Sequence, residues 1–197
     1  MTDIGWLADA IPGEAQGLET LAAARLADKA TLGKGGFALK SAAFANGDEL
    51  DASFTAAEMD AVAPPLEWTA PGPLAGEVVI IAECPDAREG EAVCHWLVWG
   101  LPGQRGQILE GEAPPRVGKN AQGNSEWLLP DVEVGSEPRR YVFQAFASDM
   151  PLTLMPGATR EDVIAMLDNH VIACALLTAT FAGAESIDEV LLDEDDL

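Results

Sequence analysis

EVVIIAECPDAREGEAVCHWLVWGLP, residues 77–102, carries the reading of the fold. EVVIIAE (77–83) is rich in β-branched residues and apolar on both faces, and VCHWLVWG (93–100) has the same texture. β-Branched and aromatic side chains favour the pleated backbone. A strand apolar on both faces belongs inside a sandwich or a covered sheet. Between the two runs stands CPDAR (84–88). An acid at a strand end, one connection before a strand His, can sit beside that His in an antiparallel pair. Asp86 would there hold the imidazole of His95 in one tautomer and favour its protonated form. Taken alone, Asp86 reads as a turn residue after Pro85. His95, between Cys94 and Trp96, taken alone reads as a satisfied core histidine.

Outward from this hairpin, RRYVFQAFA (139–147) reads as a third strand. It puts Tyr141, Phe143 and Ala145 on one face and Val142 and Phe146 on the other. VIACALLTATF (171–181) reads as a last strand. Before it, Thr159 followed by Asp162 is a capping-box start for a short helix carrying Val163, Ile164, Met166 and Leu167. Upstream, FALKSAAF (37–44) reads as a strand, and Pro64-Pro65 sets an extended backbone before Leu66 and Trp68. The stretch 101–138 has little periodicity and much Gly, Pro and charge, the texture of a long functional or disordered loop. At the N-terminus, Leu18, Leu21, Ala22 and Leu26 recur at helical spacing until Gly33, Gly35 and Gly36 break the pattern. The division is an N-terminal helical extension (1–35), a β domain (36–183) and an acidic C-terminal tail (184–197). From Glu185 to Leu197 the tail holds seven acids and no base, the texture of a solvated tail.

The chain has 197 residues and a net charge of −22. So acidic a surface repels nucleic-acid phosphates and anionic lipid headgroups, so neither nucleic acid nor stable membrane insertion is expected. No apolar run reaches the ~18 residues that a membrane helix needs, and the start has no basic, apolar leader. Three Cys (Cys84, Cys94, Cys174) form neither a disulfide framework nor a zinc motif. A reduced, cytoplasmic protein without a cofactor or metal is the simplest expectation.

The candidate chemistry is that of hydrogen-bond donors. Arg139 and Arg140 open the third strand in a chain with only eleven Lys and Arg, and a guanidinium forks onto carboxylate or phosphate. Two adjacent Arg are equally readable as surface ion pairs. Tyr141 O–H, His95 N–H and Arg139 N–H, converging on one hollow, would leave room for an acceptor-rich ligand. His170 lies at the end of the late helix, where the dipole favours a cation. No phosphate-binding P-loop, nucleophile elbow or metal-ligand cluster is present in the sequence.

The order FALKSAAFANGDELDASFT, APPLEW, CPDAR, CHWLVWGLP, GKNAQG, GSEPRRYVFQAFASD and NHVIACALLTATF resembles the phosphatidylethanolamine-binding proteins, in their bacterial Raf-kinase-inhibitor-like branch, over about residues 37–183. The resemblance implies a mostly β fold: an antiparallel sandwich with a large central sheet, a smaller sheet and a few short helices. It implies a small open pocket for phosphate, acetate or a phospholipid headgroup. On that resemblance Asp86, His95 and Tyr141 are pocket residues, Gly118, Asn120 and Gly123 mark the loop beside them, and Pro65 and Trp68 stand near the pocket wall. Three positions depart from the family pattern. Cys84 replaces an Asp, Arg88 a Pro, and Arg139 a second His, while NSEWLLPDVEVG (124–135) replaces a Gly- and Pro-rich stretch. The expected ligand site is therefore Asp86, His95, Arg139, Tyr141, Cys84 and Asn120, either more attractive to anions or degenerate.

Three functions fit these residues. The first is a non-catalytic binder of a small anion or headgroup. The second is a regulator that inhibits a kinase or protease by contact through 101–138 and the N-terminal helix. The third is an enzyme with Cys84 as nucleophile near His95. The first is preferred, with no catalysis expected, since Cys84 also reads as a buried filler. The resemblance also admits a homodimer.

Overall fold

The structure, a computed structural model, describes residues 3–88 and 90–183; the acidic tail at 184–197 lies outside the described residues. Among the described residues, eight strands form two antiparallel sheets. They are β1 (Leu39–Lys40), β2 (Leu66–Trp68), β3 (Glu77–Arg88), β4 (Glu91–Pro102), β5 (Gly106–Ile108), β6 (Arg116–Val117), β7 (Arg139–Ser148) and β8 (Val171–Phe181). The large sheet runs β6-β4-β3-β7-β8 and the small one β1-β2-β5. The helices are α1 (Gly5–Ala10), α2 (Ala22–Leu26) and α3 (Arg160–Leu167). The mostly β, two-sheet architecture agrees with the resemblance.

The period-2 pattern decides which side chain faces which layer. Val78, Ile80, Ala82 and Cys84 of β3, with Tyr141, Phe143 and Ala145 of β7, face the core shared with the small sheet. Val79, Ile81, Val142 and Phe146 face the opposite side, onto the N-terminal segment and α3. Both faces of the large sheet are thus covered, which is why its central strands read as continuous apolar runs. α3 opens with the capping box read from the sequence, Thr159 and Asp162 exchanging bonds. The reading of 37–44 as one strand shrinks to the two residues of β1, because the chain bends directly after it at Ala42 and Ala43.

Residues 5–26 of the N-terminal segment are not one helix but three short turns, α1, a 3₁₀ turn at Leu18–Thr20, and α2. The break before the second is Gly17, at φ 82°, with Pro85 O only 2.7 Å from where a Cβ would sit; no other residue fits there. Leu7, Leu18, Leu21 and Ala22 are fully buried against the large sheet. α2 has no capping side chain of its own. Its first amides are satisfied by the sheet: Ala22 N donates to Glu83 Oε2 at 2.8 Å and Ala23 N to Gln144 Oε1 at 2.7 Å. Glu83, 0 % exposed, also accepts from Gln144 Nε2 at 2.7 Å and from Arg160 Nε. Arg160 Nη2 reaches Thr20 O at 2.9 Å. A buried carboxylate is tolerable only with such a shell of donors and a countercharge.

Candidate functional site

The site begins with a defect in β4. Ala82 pairs with Trp96, but the next residue of β3, Glu83, pairs with Cys94. His95 is therefore the extra residue of a β-bulge, and the alternation slips by one. Cys94 goes to the face under the N-terminal segment, while Trp96 stays in the core shared with the small sheet. A bulge re-aims a side chain in this way, and here it brings His95 to Tyr141, ring centroids 5.0 Å apart and edge-to-face.

The ring is fixed from the 101–138 stretch. Leu128 N donates to His95 O at 2.8 Å, and His95 Nδ1 lies 2.6 Å from Leu128 O. A carbonyl only accepts, so Nδ1 carries the proton. Neutral His95 then presents a bare, accepting Nε2. Trp127, beside Leu128, stacks on Phe143 (5.7 Å, 21°), approaches His95 at 5.8 Å and anchors its Nε1 on Phe54 O at 3.0 Å.

Burial sets the protonation states. His95 is 6 % exposed; its pKa is pushed down to about 4, mainly by burial, with the Arg139 charge adding and the Leu128 bond opposing. Burial, then the neighbouring Cys84, pushes Tyr141 upward against the Arg139 charge, so its hydroxyl stays a donor. Burial pushes the Cys84 thiol up to about 11 despite the opposing Asp86 amide and Arg139. At neutral pH the cluster is an uncharged imidazole, phenol and thiol beside a guanidinium, with exposed Asp131 also felt at Tyr141.

His95 and Tyr141 are brought together, and Arg139 and Cys84 lie within their electrostatic reach. Among the described residues neither His95 Nε2 nor Tyr141 Oη has a hydrogen-bond partner. Nor are they among the described sealed polar side-chain atoms left without one, Trp99 Nε1 and Thr178 Oγ1. Tyr141 is 1 % exposed.

Asp86 is placed otherwise than expected. It does not orient His95; the Leu128 carbonyl does. Its carboxylate is taken up by Arg140, with Oδ2 accepting from the amide at 2.7 Å and from Nε at 3.0 Å, and Oδ1 from Nη2 at 2.6 Å. Strand alternation separates the two arginines. Arg139 follows the Tyr141 face, whereas Arg140, 8 % exposed, turns to the N-terminal segment and donates to Glu14 O at 2.5 Å and Gln16 O at 3.0 Å. Asn120 also departs from the cluster. Its Oδ1 accepts from Gln122 N and Asn124 N, its Nδ2 donates to Glu126 O, and it lines a separate hollow of about 380 Å³ with Arg88, Lys119 and Arg160. Another hollow, about 430 Å³, lies over the small sheet between Lys40, Trp68 and Arg105. His170 pairs with Asp149 at 2.8 Å. Trp127 and Leu128 were not legible as site residues; the one signal was a tryptophan inside an otherwise polar NSEW run.

His95 carries a pH signature. Its folded pKa of about 4 lies below the ordinary 6.5, so between these values the unfolded chain holds a proton that the folded one does not. Its contribution is full above pH 6.5 and is lost as pH falls toward 4, on the order of 3 kcal/mol. In urea melts from pH 7 to 4, His95→Gln should lose less stability than the parent chain by about that amount. Parallel pH profiles for the two would show that His95 is not buried neutral.

The family model described as phosphatidylethanolamine-binding protein matches residues 40–182. A Pyrococcus abyssi protein of the UPF0098 group is 32 % identical over 67 % of this chain and 78 % of its own length. Among solved structures, the Chlamydia trachomatis protein CT736, described as a homologue of that family, is 28 % identical with a TM-score of 0.69, covering 75 % of this chain and 98 % of its own. Escherichia coli YbcL, 20 % identical with a TM-score of 0.68, shares the fold over 75 % of this chain and 99 % of its own.

Proposed function

Since this chain belongs to the phosphatidylethanolamine-binding protein family, we propose that it is a binding protein for a small oxyanion held between His95, Tyr141 and Arg139. The observation that carries the reading is the pair of polar tips, His95 Nε2 and Tyr141 Oη, without partners among the described residues, on rings 5.0 Å apart and within reach of a guanidinium charge. Tyr141 donates one hydrogen bond, and Arg139 supplies a fork of donors and a fixed charge. Trp127, stacked on Phe143, supplies apolar surroundings beside His95. With His95 6 % and Tyr141 1 % exposed, the ligand is small or offers only its head. Cys84, fully buried and with its pKa near 11, remains a thiol at neutral pH and supplies no nucleophile.

Melting curves with phosphate, acetate and phosphoethanolamine test the reading, with sodium chloride at equal ionic strength as the control. Ligand at a hundredfold excess over Kd adds about 2.7 kcal/mol, a rise of roughly 5–10 °C for a chain of this size. A melting temperature that moves no more than with chloride for every oxyanion up to 100 mM contradicts it.

A further inference from the structure

We propose that the His95–Tyr141–Arg139 cluster binds its oxyanion together with one proton, so that its ligand is an oxyanion bearing a hydroxyl, such as the monoanion of a phosphate monoester, and not a phosphodiester. The proposal rests on the oxyanion reading above and narrows it.

The geometry at His95 carries it. The Leu128 carbonyl, 2.6 Å from Nδ1, forces the imidazole proton to that nitrogen. The other ring nitrogen, Nε2, is then an acceptor, while Tyr141 Oη and Arg139 are donors. An oxyanion with every oxygen unprotonated satisfies the donors but sets a lone pair against the Nε2 lone pair. Two arrangements remove the clash. Either the ligand brings an O–H that donates to Nε2, or Nε2 itself takes a proton. The two are the same species in proton count, so the bound state holds one proton more than free protein plus dianion.

The charges near His95 favour the first arrangement. Arg139, on β7, is the one charged group felt at the imidazole, and it opposes a second positive charge there. Cys84 and Asp86 of β3 and Asp131 are felt at Tyr141; Asp86 is neutralised by its three bonds to Arg140, and Cys84 is a neutral thiol. No carboxylate is felt at His95 itself, so the proton travels on the ligand. A phosphate monoester, with its second pKa near 6, supplies such a proton. A phosphodiester has none to give.

Isothermal titration calorimetry with methyl phosphate, dimethyl phosphate and sulfate decides the matter in the unaltered protein. Runs at pH 7 and pH 8, in two buffers of unlike ionisation heat, count the protons. The expected results are methyl phosphate about tenfold weaker at pH 8 than at pH 7, uptake of close to one proton, and dimethyl phosphate and sulfate at least tenfold weaker than methyl phosphate at pH 7. His95→Gln, whose amide can donate without a proton, should flatten the pH dependence and admit sulfate. Methyl phosphate binding equally at both pH values without proton uptake, or dimethyl phosphate binding as well as methyl phosphate, overturns the proposal while leaving the oxyanion site standing. If no oxyanion binds, the site reading and this proposal fall together.

Discussion

Glu83→Ala is expected to cost about 3–5 kcal/mol, the range for removing one partner of a buried ion pair. The carboxylate is 0 % exposed and accepts from Ala22 N, Gln144 Nε2 and Arg160 Nε. Its loss strands the Arg160 charge, whose side chain is only 20 % exposed, and uncaps α2. The damage should begin locally, because the same carboxylate ties the N-terminal segment to the large sheet. Limited proteolysis should find new cleavage within residues 3–36 before global unfolding. Glu83→Gln, which keeps one acceptor, should lose less. A urea-melt loss below 1 kcal/mol for Glu83→Ala would show that apolar contacts alone hold the segment.

Two neighbouring arginines should give opposite phenotypes. Arg139→Ala should weaken oxyanion binding on the order of 10- to 100-fold, since a hydrogen bond to a charged group is worth about 1.5–3 kcal/mol, with stability nearly unchanged. Arg139 makes no ion pair among the described residues, so little in the fold depends on it. Arg140→Ala should do the reverse. It leaves Asp86 without its countercharge and frees the carbonyls of Glu14 and Gln16, so stability falls by several kcal/mol. Titration calorimetry and urea melts on the two variants separate these effects. Undiminished affinity in Arg139→Ala would remove the cation from the site.

Much of this arrangement could be read from residue types. The period-2 run in β7 put Tyr141, Phe143 and Ala145 on one face, as they stand, and the Thr159–Asp162 box opens α3. The features that the sequence concealed have three physical causes. A bulge adds one residue without altering composition, so the slip that aims His95 leaves no trace in VCHWLVWG. A carbonyl belongs to every residue, so Leu128 could not be singled out as the group that orients the imidazole, and Asp86 was the natural but wrong choice. Adjacent charges alternate across a strand, yet nothing local says which of Arg139 and Arg140 meets a buried acid. The helical spacing from Leu18 to Leu26 is interrupted at Leu21, whose extended backbone (φ −66°, ψ 149°) separates the 3₁₀ turn from α2, and spacing alone does not reveal such a break.

A crystal structure of the protein grown with methyl phosphate at pH 6 examines the central claim most directly. Density for the phosphate within hydrogen-bond distance of His95 Nε2, Tyr141 Oη and the Arg139 guanidinium is the predicted result. Ligand seated instead between Arg88 and Lys119, with the space beside His95 and Tyr141 empty, contradicts it.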